Sequence, residues 1–443
     1  MWQNARHVSS SQWFQEISIP WIPSIGTSFH FAIDGISLTL LTLTVFLGIL
    51  AVGCSWEDII ERVGFFHCNL LWVIATISAV FMAIDLFLFY VAWELMLIPT
   101  YFLISLWGYE RRQYAALKFF LFTQFGGLFL LISILALYTI HGQQTGLYTF
   151  DYQDLLSTFL TPKAAAWVMA GFIIAFFVKL PVIPFHTWLP DAHTQAPTAG
   201  SLDLAGLLIK TGAYGLIRFV LPLFPEASHS FAPIAWGLGI IGIVYGAAMA
   251  FVQTDLKRLI AYTSISHMGF VLIGIFSFSP LALQGTMMIM IAHGISTGAL
   301  FIMTGDVHRR VHTRDLTQMG GLWDQLPILG SITLFFAVAS LGLPGLGNFV
   351  GEFLVLLGIY HTSIPTAVLA SSGFIVSVLY ALWIMQQIFY GHPFNREPQT
   401  TLSPREMSIY GCSMLAIVWL GLYPAPIFDV LAPAINRLVS VHG

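Results

Sequence analysis

The sequence predicts an all-α polytopic membrane protein of about twelve transmembrane helices, two of them discontinuous, arranged as inverted five-helix repeats. Three observations predict it. First, 57% of the 443 residues are hydrophobic and only 9% are charged, against about 25% charged in soluble domains. Second, apolar runs of about 18 or more residues recur from end to end, each long enough to cross roughly 30 Å of hydrocarbon as a helix. Third, the basic residues outside the spans fall mostly on one side of a twelve-span alternation.

The spans are expected at 35–55, 65–84, 86–108, 116–140, 165–188, 199–222, 233–252, 258–278, 281–305, 327–358, 364–390 and 407–425. Residues 1–60 hold an N-terminal segment and the first span. A first five-helix block covers 61–225 and a second 226–391. Residues 392–443 supply a loop and the last span. In the fifth span, 165–188, Pro181 and Pro184 follow Lys179 and remove backbone donors. That breaks the helix and frees carbonyls that only protein or water in a cavity can satisfy. In the tenth, 327–358, "SLGLPGLGNFVGEFLVL" puts Gly342, Pro344, Gly345 and Gly347 ahead of Glu352. Both breaks fall at the same point of their blocks, and an odd number of helices per block inverts the second relative to the first. Paired broken helices in inverted repeats mark ion pathways in transporter folds.

The charges set orientation. Arg62, Arg111, Arg112, Lys257, Arg258, Arg309, Arg310, Arg314, Arg396 and Arg405 lie on one side, and Arg6, Lys163 and Arg437 on the other. The richer side is expected to be cytoplasmic, which puts both termini outside. The N-terminal stretch lacks the pattern of a cleaved signal peptide, so the early spans are expected to remain. Cys54, Cys68 and Cys412 are isolated, which points to neither a disulfide framework nor a thiolate metal site.

Four basic residues escape the loop sorting. Lys118 and Arg218 stand near helix ends, where long side chains snorkel to the interface. Lys179 and Lys210 stand inside helices. At 1.5 Å per residue, Glu94, nine residues past Asp85, lies about 13 Å deep. Lys210, ten past Gly200, lies about 15 Å in. His267 is nine past Arg258, His293 thirteen from both Pro280 and Asp306, and Glu352 nine before His361. One buried histidine is ordinarily a hydrogen-bonded core residue, and one Glu–Lys pair can do no more than fix helix register. Ionisable groups gathered at a common depth, where each isolated charge costs several kcal/mol, instead point to a hydrated polar row in the membrane plane.

Other patterns fail on context. Gly345, Gly347 and Gly351 give GxGxxxG in a membrane helix rather than a dinucleotide fingerprint. His308 and His312 sit among Arg309, Arg310 and Arg314 with no HExxH, and suit a basic loop better than a metal site. The Trp and Tyr residues are expected as interfacial anchors and core. No nucleic-acid partner is expected.

"AWELMLIPTYFLISLWG", "FFVKLPVIPFHTWLPDAHTQAPTAGSLDLAGLLIKTGAYGLIRF", "TDLKRLIAYTSISHMGFVLIGI", "MIAHGISTGALFIMTGDVHRRVHTRD" and "LPGLGNFVGEF" closely resemble the antiporter-like subunits of respiratory complex I. The resemblance runs from about Trp21 onward. Its terminal glutamate, Glu352, is similar to the M (subunit 4) type of bacterial NADH:quinone oxidoreductase, where relatives usually carry lysine. That type usually has two further N-terminal helices, and "MWQNARHVSSSQWF" starts where the third would follow. The resemblance implies that Glu94 pairs with Lys179. It also implies that Lys210 connects through His267 and His293 to Glu352, and that closing and opening of the Glu94–Lys179 pair drives a proton along this row. It implies no cofactor in this chain, with NADH, FMN, iron–sulfur clusters and quinone handled by partner subunits. The expected surroundings are other complex I membrane subunits, including related antiporter-like ones, with lipid, protons and water, in the bacterial cytoplasmic membrane. Membership of a Mrp-type cation/proton antiporter or of a membrane-bound hydrogenase complex would share the fold and the row.

Overall fold

The computed structural model describes residues 13–391 and 401–440, so Arg6 and Arg396 lie outside the described residues. The chain begins with an antiparallel hairpin, β1 (Gln15–Ile22) and β2 (Thr27–Ile33). The hairpin precedes a chain that is otherwise mostly helical, as the all-α reading expects. Ile17, Ile19 and Trp21 alternate with Ser18 and Pro20, a period-two pattern in a stretch too short and polar to span. Gly26, at φ +70, supports the turn, and any Cβ there would collide with the Tyr148 carbonyl.

The helices follow in order: α1 (Gly35–Ser55), α2 (Val63–Met82), α3 (Leu86–Trp107), α4 (Arg112–Thr145), α5 (Pro162–Lys179), α6 (Trp188–Gln195), α7 (Thr198–Leu223), α8 (Pro225–Phe251), α9 (Leu256–Ile275), α10 (Pro280–Val311), α11 (Pro327–Ser340), α12 (Gly347–Thr362), α13 (Ile364–Ile388), α14 (Pro404–Leu422) and α15 (Ala425–Ser440). Among the described residues ten helices are long and apolar enough to cross a membrane, and α14 with α15, bent by 66°, makes an eleventh candidate. The expected tenth span is the pair α11 and α12, each half too short to cross alone. α15 was not foreseen. It turns one apolar face (Ile427, Val430, Leu431, Ile435) inward, and Gly35 of α1 approaches the Val430 carbonyl so closely that a Cβ would not fit.

Many helix starts follow from sequence. Asp34, Asp85 and Asp255 accept from the backbone N–H groups of Ser37, Leu88 and Arg258, capping α1, α3 and α9. Thr161, Ser279 and Ser403 cap helices whose next residue is proline, which needs no N–H there. The ladder of α3 is interrupted at Met96, where Pro99 removes the donor for the Leu95 carbonyl. Glu94 sits beside that interruption.

α7, α9 and α10 are enclosed by the other helices almost everywhere. Glycines set how closely they cross. A Cβ on Gly294 of α10 would lie 3.1 Å from the Gly206 carbonyl of α7, and one on Gly351 of α12 would lie 2.7 Å from the Ile289 amide of α10. Small residues at such crossings let backbones meet without lipid between them.

Several polar residues depart from expectation. Arg218 does not snorkel: it is 3% exposed and its Nη2 donates to both Asp34 oxygens at 2.7 Å. A buried guanidinium needs a fully satisfied partner, and the cap residue of α1 supplies one. Lys118 also pairs rather than reaching for the interface, at 2.6 Å from Asp191, which Arg258 shares at 3.3 Å. Lys257 is buried in the first turn of α9, donating to the Ala196 carbonyl and Ser201 Oγ. His308 lies in the last turn of α10 and His312 caps it, so neither is in a loop.

Outside the spans, His30 of β2 ties the hairpin to the segment after α4. Its Nδ1 lies 2.5 Å from Asp151 Oδ2 and its Nε2 2.8 Å from Glu16 Oε1. The hydrogen bond to Asp151 lifts His30 above its ordinary 6.5, against the opposing effect of burial. Burial would raise Asp151, but the bond from His30 and those from backbone amides hold it below 3.8. The His30 contribution is therefore complete below pH 6.5 and fades as pH rises through its raised value. The Asp151 contribution is present above 3.8 and fades as pH falls through its lowered value. Amide-exchange protection of β2 in the purified assembly is expected to decline as pH rises above 6.5, through the raised value of His30. In His30→Gln that decline should vanish; an unchanged decline in the variant would exclude the tie as its cause.

Candidate functional site

Each residue of the expected polar row can be placed. Lys210 lies on α7 between two π-helical stretches, Leu204–Leu208 and Leu216–Val220, a local geometry often found at functional positions. Its Nζ reaches back towards the start of the helix, donating to the Ala205 carbonyl and lying 2.8 Å from His293 Nδ1 of α10. The ammonium donates, so Nδ1 accepts and the His293 proton sits on Nε2. The His293 ring stands edge-on to that of His267 on α9, centroids 5.4 Å apart. His267 Nδ1 is 2.8 Å from Glu352 Oε1 of α12, and its Nε2 faces Tyr380 OH at 3.0 Å and Ser340 Oγ at 3.2 Å. All four row residues are buried. Lys210 with His293 and His267 with Glu352 thus form two hydrogen-bonded links on four helices, joined by the edge-on contact of the two imidazoles.

The break between α11 and α12 builds the far end of this line. Gly342 and Gly345 take φ +81 and +96, where a Cβ is strained. A Cβ on Gly342 would also come within 3.1 Å of Glu352 Oε2. The Leu341 carbonyl freed by the break accepts from Ser377 Oγ. The first break is likewise closed by protein: the Trp188 indole donates to the Val178 carbonyl and the Val182 amide to Phe177. Lys179 is the last residue of α5, at the lip of that break.

Glu94 and Lys179 are not in contact. No ion pair within 4.0 Å joins them, and Lys179 Nζ makes no hydrogen bond. It instead faces the rings of Trp93 at 5.0 Å and Phe119 at 5.9 Å, a cation–π cage. Glu94 Oε1 is buried without a hydrogen-bond partner, in space that Gly127 leaves: a Cβ there would stand 1.8 Å from it. The stem of Lys179 packs on Gly212 of α7, yet no polar contact continues from it to Lys210. The expected row is linked by contacts from Lys210 to Glu352 and open between Glu94, Lys179 and Lys210.

Sequence reasoning missed Tyr380 and Ser340, because hydroxyls within apolar helices carry no penalty that singles them out. It also missed the Asp34–Arg218 pair, whose members are 184 residues apart. Among the described residues no group of three His, Cys, Asp or Glu side chains could hold a metal.

The fold is a polytopic helical membrane bundle in which a buried polar line ends at a broken helix. Residues 83–379 match the family model described as NADH:quinone oxidoreductase/Mrp antiporter, transmembrane. The chain is 53% identical over 438 residues to NADH-quinone oxidoreductase subunit M of Pseudomonas aeruginosa, covering 98% of this chain and 85% of that protein. It is 52% identical over 435 residues to the Escherichia coli subunit M, covering 96% and 86%. Respiratory complex I from Thermus thermophilus contains a chain similar to it in structure, with a TM-score of 0.89 at 33% identity, covering 100% of this chain and 92% of that one. The chain belongs to the antiporter-like membrane subunits of NADH:quinone oxidoreductase, complex I.

The glycine crossings that align the row are testable. Gly351→Val should force α12 from α10, costing about 1–3 kcal/mol and lowering the melting temperature of the purified assembly. Gly64→Ala, which meets open space, should leave it unchanged. Equal melting temperatures for both variants would mean that the crossing is not tightly packed.

Proposed function

We propose that this chain is a proton-translocating, non-redox subunit of a bacterial NADH:quinone oxidoreductase in the cytoplasmic membrane. On this reading the Glu94–Lys179 pair, by closing and opening, drives protons along Lys210, His293, His267 and Glu352, while partner subunits oxidise NADH and reduce quinone. The observation that carries the reading is the buried line from Lys210 to Glu352. Such a line is costly in apolar surroundings unless it is used.

The geometry suits stepwise transfer. Lys210 holds His293 in the tautomer with a proton on Nε2, the atom without a hydrogen-bond partner. With Glu352 ionised, His267 donates from Nδ1 and accepts at Nε2 from Tyr380 and Ser340. A proton delivered to Nε2 through either hydroxyl would leave from Nδ1 onto the Glu352 carboxylate, so one imidazole passes it without turning. The two parts of the row correspond to two tasks. The separated Glu94 and Lys179 form an element whose closing and opening neighbouring subunits could drive, and the line from Lys210 carries the proton outward.

The decisive experiment replaces Lys210 in the assembled complex. Lys210→Ala should lower NADH-driven proton translocation by roughly tenfold or more. Lys210→Arg should stay impaired, because arginine keeps a cation but does not release its proton. Full pumping in Lys210→Arg with loss in Lys210→Ala would reduce Lys210 to a fixed charge and remove it from the relay.

Orientation follows from loop charge. Cysteines at the exposed positions Ile17 and His312 should react with an impermeant thiol reagent from opposite sides, His312→Cys from the cytoplasm. Labelling of both from the same side would overturn the span alternation.

A further inference from the structure

A second set of buried ionisable groups lies outside that row. Where the basic loops gather, a cavity of about 470 Å³ opens among Ser55, Asp58, Tyr109, Thr198, Ala199 and His308. Its floor is the first turn of α7. Asp203 stands four residues beyond Ala199, hence on the same helix face one turn, about 6 Å, deeper. It is 3% exposed and neither of its carboxylate oxygens has a hydrogen-bond partner. A carboxylate so placed is costly unless protons or water reach it. On its other side, Lys210 bends back to donate to the Ala205 carbonyl. Asp203 and Lys210 lie seven residues, about two turns, apart on α7, and with no hydrogen bond between the Asp203 carboxylate and any group a proton could pass between them only through water. His193 of α6 is also fully buried, stacked on Phe301 at 4.4 Å, with both ring nitrogens unpartnered.

We propose that Asp203 takes protons from the cavity between α1, α7 and α10 and hands them to Lys210, by a route that bypasses Glu94 and Lys179. This rests on the proton-translocating reading above. In each cycle a hydronium ion in the cavity protonates the Asp203 carboxylate and leaves water. The resulting acid gives its proton through water to the Lys210 amine once Lys210 has passed its own to His293, and Asp203 returns to the carboxylate. No hydrogen bond joins Lys179 to α7, where Gly212 packs against the Phe176 carbonyl and the Leu180 amide. Lys210 thus has a polar neighbour on the cavity side and a sealed contact on the Lys179 side.

The test compares Asp203→Asn, Asp203→Glu and Lys210→Ala in the assembled complex in inverted membrane vesicles, reading NADH-driven proton uptake with and without sodium formate. Asp203→Asn should lose roughly tenfold and recover in part with formate, a small weak acid that can carry protons through the cavity; Asp203→Glu should retain most activity. A merely structural aspartate would show no formate rescue. Loss in Lys210→Ala together with normal, formate-insensitive uptake in Asp203→Asn would overturn this inlet alone. Normal uptake in Lys210→Ala would overturn the row itself. If Asp203→Asn fails to assemble, His308→Cys modified in the assembled complex with a bulky impermeant thiosulfonate decides the matter. Plugging the cavity should then suppress uptake relative to wild type treated identically, and unchanged uptake would exclude the cavity as the route.

Discussion

Lys210 can hold an ammonium at mid-membrane only because α7 is walled in on every side, and most of the molecule serves that enclosure. The cation needs acceptors, and in hydrocarbon there are none. The protein provides a backbone carbonyl from the π-helical stretch below it and an imidazole from α10. Both depend on the two backbones meeting at Gly206 and Gly294. Bulkier residues there would admit a gap that no polar group fills. From that crossing the polar line extends to His267 and Glu352 because the same close packing recurs between α10 and α12.

The two helix breaks do different work. Each frees backbone carbonyls, and in each most of the freed groups are recaptured by protein: an indole at the first break, a serine hydroxyl at the second. The second break, through Gly342, also clears space for the Glu352 carboxylate. The first ends at Lys179, whose ammonium faces aromatic rings in place of an acceptor. A cation–π cage holds a charge less firmly than a carboxylate in contact would. It leaves Lys179 and Glu94 free to change their separation when neighbouring helices shift, whereas Lys210 and His293 are held in register.

The charged groups at the two membrane faces anchor this interior. Asp34 both caps α1 and pairs with Arg218, so the first helix and the helix bearing Lys210 are locked at one end. At the other, Arg309 and Arg310 of α10 pair with Asp306, Asp58 and Glu406, joining α10 to α14 and to the segment after α1. Both ends of the bundle are thus tied by buried or partly buried ion pairs, and the two breaks lie between them.

The sequence by itself determined what hydropathy and depth can carry. The spans, the places of both breaks, and Lys210, His267, His293 and Glu352 as members of one polar layer all follow from the cost of charge in an apolar run, a cost that each residue bears wherever its partners lie. It did not determine partners. That Arg218 faces Asp34 rather than the interface, that Tyr380 and Ser340 flank His267, and that Glu94 and Lys179 stand apart were decided by helix crossings between residues far apart in the chain. So was the placing of Asp203 beneath a cavity. Hydroxyls and paired charges leave little trace in a hydropathy pattern, and the hairpin before α1 is too short to leave one. Only when the glycine crossings bring the backbones together do such residues acquire the neighbours that define them.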